Sequence, residues 1–119
     1  MLNLNSILLS SSNPKALSSF YQKVFQKDPE MADDNGYYGF LVGKTFLTIG
    51  PHDKVKGKNK TPERFMFNLE TTEVKEESER IEKTGAKVIA KPYEMGGAWI
   101  ATFADPDGNY FQLVTPWKE

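Results

Sequence analysis

The sequence predicts an α+β protein built from two copies of one βαβββ unit. Three observations carry that reading. The order strand, polar turn, helix and further strands occurs twice along the 119 residues. A stretch rich in Lys, Gly and Asn, residues 51–62, separates the two occurrences. Near the C-terminus, Asp105-Pro106-Asp107-Gly108-Asn109 forms a tight turn feeding a closing strand. There Pro106 presets φ, Gly108 admits φ > 0, and the Asp and Asn side chains bond their own backbone. Unit one therefore takes residues 1–50, a solvated linker 51–62, and unit two 63–119 of one domain.

Each element has a local cause. Residues 5–10 alternate, with Ile7 and Leu9 on one face of a first strand. Asn13 suits an N-cap and Pro14 the first helical position. Ala16, Leu17, Phe20, Tyr21, Val24 and Phe25 then recur at helical spacing. The helix should end near Lys27, because Pro29 restricts the residue before it. Asn35-Gly36 marks a turn, and residues 37–42 and 45–49 form a hairpin joined at Gly43-Lys44.

In the second half, residues 64–69 alternate. Phe65, Phe67 and Leu69 take one face, Arg64, Met66 and Asn68 the other. Thr71 or Thr72 caps the second helix, whose positive N-terminal end suits Glu73, Glu76 and Glu77. Glu76/Arg80 and Glu79/Lys83 stand at favourable i,i+4 spacing, about 0.2–0.5 kcal/mol each. The apolar stripe is thin, mainly Val74 and Ile81, so this helix covers a sheet. Gly85 ends it. Residues 87–90, 98–103 and 110–114 supply strands, turned by Gly96-Gly97 and by the Asp-Pro-Asp-Gly run. In the last strand Phe111 and Leu113 oppose Tyr110, Gln112 and Val114.

Composition removes several function classes. A net charge of −1 leaves no broad basic footprint for nucleic acid. No apolar run is long enough to span a bilayer, and residues 1–12 lack the charged segment of a signal peptide. The absence of cysteine excludes disulfides, thiolate metal sites and a thiol nucleophile. A reducing, cytoplasmic setting is expected, and abundant Lys and Asn fit an AT-rich bacterial genome. Asn59-Lys60-Thr61 matches the glycosylation triplet by chance. Gly43-Lys44-Thr45 ends like a phosphate-binding loop, but Tyr38 stands where that motif needs Gly.

Residues 105–113 resemble the closing motif of the vicinal-oxygen-chelate superfamily, which contains glyoxalase I, bleomycin-resistance proteins and extradiol dioxygenases. Phe20-Tyr21 is similar to its first-helix pattern. The resemblance covers nearly the whole chain. It implies that each unit forms a curled, mixed four-stranded sheet and that two units enclose a cup. It also implies where a divalent metal sits in the metal-dependent members: on inward side chains of the first and last strands of each unit. Those places fall at Ser6 (or Asn5 if the register slips by one), Thr48, Arg64 or Met66, and Gln112. Metal-dependent members usually carry Glu at the place of Gln112. Divalent first-row metals take imidazole and carboxylate, none of these residues supplies either, and Arg64 cannot ligate. Shifting a register by one brings in no histidine. No metal and no cofactor is therefore expected. His52, the only histidine, reads as an exposed loop residue, and Lys54, Lys56, Lys58 and Lys60 as a solvated basic run.

The expected lining of the cup is Ser6, Leu8, Tyr38, Phe40 and Thr48 from unit one. Unit two adds Arg64, Met66, Asn68, Trp99, Ala101, Tyr110 and Gln112. A buried amide without a partner costs about 1–3 kcal/mol, so convergent neutral polar groups need one another, water or a ligand. An inward Arg64 would favour an acidic ligand group. The function expected is cofactor-free binding that sequesters or senses a small organic molecule. The alternative is a glyoxalase-like lyase or isomerase, or a dioxygenase-related enzyme; without metal it needs a general acid or base, and Glu70 and Glu94 read as solvated. A second copy of the chain is the expected protein partner, through open sheet edges, with Trp117 a candidate interface residue. A regulatory or interaction module is the third reading.

Overall fold

The computed structural model describes residues 1–116, so the Trp117 assignment lies outside the described residues. The chain divides into Met1–Gly57 and Lys58–Glu119.

The first unit contains β1 (Ser6–Ser11), α1 (Pro14–Phe25), β2 (Met31–Ala32), β3 (Tyr38–Val42) and β4 (Thr45–Pro51). Its sheet order is β1-β4-β3-β2, with β1 parallel to β4 and the other pairs antiparallel. Asn13 Oδ1 accepts the Ala16 N–H at 3.3 Å, with Pro14 opening the helix as expected. The helix stops at Phe25, earlier than Pro29 suggested, because Gln26 turns left-handed at φ 57°. Tyr21 stacks on Phe25, and Phe25 meets Phe40 edge-on, both at 5.4 Å. Leu17, Val24, Leu47 and Ile49 complete the buried set. The short β2 was not expected; two residues cannot display an alternation. Glu30 just before it accepts the Leu41 N–H at 2.9 Å and pairs with Lys27.

The second unit contains β5 (Phe67–Glu70), α2 (Val74–Lys83), β6 (Lys87–Met95), β7 (Ala98–Ala104) and β8 (Tyr110–Val114). Its order, β5-β8-β7-β6, repeats that of the first unit, again with first and last strands parallel. The repeated βαβββ order is thus matched by a repeated sheet topology. Val74, Ile81, Ala101, Phe103, Phe111 and Leu113 are buried. Phe111 stacks on Phe103 at 5.6 Å and on Phe67 at 6.0 Å.

Several expectations need correction. The strand foreseen at 64–69 starts only at Phe67. Before it, Pro62–Arg64 makes a 3₁₀ turn closed by the Arg64 N–H on the Thr61 carbonyl at 3.1 Å. Pro62 fixes φ at the first position of that turn, so the apparent alternation began outside the sheet. The N-cap of α2 is Glu73; Thr71 Oγ1 instead accepts the Glu73 N–H at 3.0 Å, two residues before the cap position. Within α2, Arg80 Nε donates to Glu77 Oε1 at 2.9 Å, an i,i+3 pair. β6 runs to Met95, well past Ala90, through register shifts at 88/90 and 90/93. Pro92 interrupted its alternation, and an edge strand with bulges is where proline is tolerated.

The Asp-Pro-Asp-Gly-Asn turn is built as foreseen. Asp105, 5% exposed, accepts the N–H groups of Asp107 and Asn109 at 2.9 and 3.0 Å, and Asn109 Nδ2. The linker is not wholly loose. The Asn59 N–H donates to the Asp107 carbonyl at 2.8 Å, and Asn59 Nδ2 donates to Asn109 Oδ1 at 3.0 Å. Among the described residues, no helix is long and apolar enough to cross a membrane.

Candidate functional site

In each unit the helix covers one sheet face and leaves the other open. Register decides which residues stand on which. In the second unit Gln112, at the middle of β8, has Asn68 on β5 and Thr102 on β7 as direct register partners. Asn68, Gln112 and Thr102 therefore form one polar row on the face away from Phe103 and Phe111. Gln112 Nε2 donates to Thr102 Oγ1 at 3.0 Å, and Thr102 is 6% exposed. Ile100 and Val114 pair in the next row.

Beside this row lies a concavity of about 540 Å³. Asn68 and Gln112 form its polar part. Its apolar walls come from Ile100, Val114, Met95 and Pro116, with Gly96, Gly97, Ala98 and Thr115 completing the rim. The β6–β7 turn at the rim requires φ of +60° at Gly96 and +83° at Gly97. A two-residue hairpin turn of this kind favours Gly because both positions are left-handed; no atom lies within 4 Å of an added Cβ at either, so conformation and not crowding selects glycine. Thr115 is anchored by its N–H and hydroxyl on Trp99, with the Trp99 N–H donating to Oγ1 at 2.7 Å. Among the described residues, no side chain lining the concavity is ionisable.

On the open face of the first unit stand Ser6 and Leu8 of β1 with their partners Phe46 and Thr48 of β4. Phe46 lies across Gly39, where an added Cβ would come within 2.5 Å of the ring.

A family model described as a glyoxalase-like domain matches residues 6–114. The chain belongs to this glyoxalase-like family. The match accords with the vicinal-oxygen-chelate resemblance carried by residues 105–113. No curated protein matches the chain. Among solved structures it is similar to a glyoxalase/bleomycin resistance protein/dioxygenase family enzyme from Burkholderia phytofirmans PsJN, with 21% identity and a TM-score of 0.77. That match covers 96% of this chain and 98% of the other. The fosfomycin resistance protein FosX from Listeria monocytogenes gives 20% identity, a TM-score of 0.74, and coverage of 100% and 94%. A glyoxalase/bleomycin resistance protein/dioxygenase from Nocardioides gives 14%, 0.79, and coverage of 100% and 85%. At these identities the likeness is one of fold.

Within the glyoxalase-like frame, the residues expected to line a cup separate into two groups. Ser6, Leu8 and Thr48 share the open face of the first sheet, and Asn68, Tyr110 and Gln112 that of the second. Tyr38 and Phe40 do not. They pair with Ile49 and Leu47, and Phe40 is fully buried against Phe25 on the helix side. The residues between them, Tyr37, Gly39 and Leu41, take the open face instead. Trp99 and Ala101 are also displaced. Both share the parity of Phe103, Ala101 is fully buried, and Lys75 of α2 sits 4.0 Å from the Trp99 ring centroid. Arg64 is exposed at the end of the 3₁₀ turn, and Met66 precedes β5; neither lines the concavity.

Sequence reasoning missed Thr102, Ile100 and Met95. Thr102 was within reach of it: a tight turn over 105–109 forces Ala104 opposite Tyr110, and counting back sets Thr102 opposite Gln112.

The open face of the first unit carries the Ser6, Ser10 and Thr48 hydroxyls, and that of the second the Asn68 and Gln112 carboxamides, the Tyr110 phenol and, at the end of β5, the exposed Glu70 carboxylate. Hydroxyls and carboxamides are not the imidazole and carboxylate that divalent first-row metals prefer. Among the described residues, no three His, Cys, Asp or Glu side chains gather in a way that could hold a metal. His52 is in the loop after β4, half exposed, with Nδ1 accepting the Lys54 N–H at 3.1 Å.

Proposed function

We propose that this glyoxalase-like chain is a small-molecule-binding protein of the bleomycin-resistance type, which sequesters or senses an organic ligand without a bound metal. The observation that carries this reading is the concavity of the second unit, where two carboxamides stand among apolar walls. Apolar walls with a few placed polar groups are the ordinary form of a small-molecule site, and about 540 Å³ is within the usual range. The lyase or isomerase alternative needs a proton-transferring group at the ligand, and among the described residues the lining holds no carboxylate, imidazole or thiol. A homodimer in a bacterial cytoplasm belongs to the same reading, on the superfamily resemblance.

Thermal-shift and calorimetric screening of small aromatic molecules tests it. A true ligand at a hundredfold its Kd should stabilise the protein by about 2.7 kcal/mol. Gln112→Ala and Asn68→Ala should each abolish that stabilisation while the variants stay folded. Stabilisation untouched in both variants, or turnover of the bound molecule, would refute the proposal.

A further inference from the structure

We infer that the molecule held here is uncharged and carries a hydrogen-bond donor and acceptor side by side, as in a lactam, a urea or a primary carboxamide, on an apolar ring. The inference rests on the binding reading above and specifies its ligand.

Charge is the first ground. Among the described residues, the lining contains no ionisable side chain. An anion or cation entering the concavity would give up hydration without meeting a counter-charge, and desolvating an unpaired charge is far more costly than desolvating a dipole. Arg64, the one cation that sequence placed at this site, stands outside it on the 3₁₀ turn. The nearest acidic residue in register, Glu70, is opposite Val114 at the end of β5 and is exposed.

The amide pair is the second ground. Asn68 and Gln112 are direct partners on neighbouring parallel strands, which stand about 4.8 Å apart. Gln112 is not free to rotate, because Thr102 on its other side takes one end of its carboxamide. The other end is left for the concavity. With Nε2 on Thr102 this is the carbonyl, an acceptor. Asn68 is exposed, and its carboxamide has no protein partner among the described residues. It supplies the complementary N–H donors. The pair thus offers one fixed acceptor and one adjustable donor at neighbouring-strand spacing. A cis-amide edge satisfies both at once. A carboxylate, which only accepts, would oppose the Gln112 carbonyl, and an ammonium would find no ionised acceptor among the described lining residues.

Ile100, Val114, Met95 and Pro116 then take the ring that bears the amide edge.

Calorimetry on the intact protein with matched probes decides the point: benzamide and 2-pyridone against benzoate and benzylammonium. The neutral pair should bind at least about tenfold tighter than either ion. Gln112→Glu, checked for folding by circular dichroism, should weaken benzamide by a similar factor and gain benzamidinium. Benzoate or benzylammonium binding as tightly as benzamide would overturn the ligand class while leaving a binding site in place. Benzamide binding undiminished in both Asn68→Ala and Gln112→Ala would overturn the role of the amide pair. Failure of all four probes would overturn the ligand class, and the binding reading would then stand or fall on the wider aromatic screen.

Discussion

The Nζ of Lys75 lies 4.0 Å from the centre of the Trp99 ring, which ties the first turn of α2 to β7 on the covered side of the second sheet. Trp99 therefore stands on the helix side of the sheet, away from the concavity beside Gln112. A double-mutant cycle on Lys75→Ala and Trp99→Phe should give a coupling of about 0.5–1 kcal/mol in urea denaturation. Additive effects would show that the ammonium and the indole do not interact.

Asp105 is buried and holds the turn before β8 through the N–H groups of Asp107 and Asn109. Asp105→Ala leaves both donors without their acceptor, and hydrogen bonds to a charged group are the stronger kind. The expected loss is about 2–3 kcal/mol by chemical denaturation. Asp105→Asn retains one carbonyl acceptor and should lose less. Equal stability of the alanine variant and the parent would mean that the turn is held by Pro106 and Gly108 alone.

Glu77 is held below the ordinary carboxyl value of 4.5 by the hydrogen bond from Arg80, against some opposing desolvation. A lowered folded-state pKa means that the native protein binds this proton less readily than the unfolded chain. Its stabilisation is thus present above 4.5 and disappears as pH falls through the folded value. The Glu77 side chain is 33% exposed, so screening limits the effect of Glu77→Gln at neutral pH to about 0.2–1 kcal/mol. Urea curves across the acid range should show parent and variant converging. A gap that widens on acidification would reverse the assignment.

Gly39 is a case of close approach, because the Phe46 ring occupies the space an alanine Cβ needs. Gly39→Ala should cost about 1–3 kcal/mol, the usual range for overpacking. In a Phe46→Ala background the same change should cost much less, read as non-additivity by thermal or urea unfolding. An unchanged cost in that background would place the penalty in the backbone.

Much of this architecture was legible in the chain. Asn13-Pro14 set the start of α1, Gly43-Lys44 the β3–β4 hairpin, and the alternation of Phe111 and Leu113 the buried side of β8. These are local signals, and each acts within a few residues. What failed was parity inherited from a distance. Phe40 and Trp99 looked like ligand walls because aromatics suit both a pocket and a core. Only the pairing of Phe40 with Leu47, and of Ala101 with Leu113, fixes their side. Arg64 and Met66 were misread because 64–69 alternates by composition before any strand exists to use the alternation. At the site, Asn68 and Gln112 were foreseen, whereas Thr102 needed the count across the 105–109 turn.

The clasp of Asn59 on Asp107 and Asn109 gives the joining stretch an owner. Residues 58–61 travel with the later half of the chain, docked on its last turn, whereas His52 to Gly57 is the stretch free of that attachment. A gene cut to express the halves as separate fragments should be cut within 53–57. A later fragment trimmed back to Phe65 would lose the two hydrogen bonds that join Asn59 to the turn before β8.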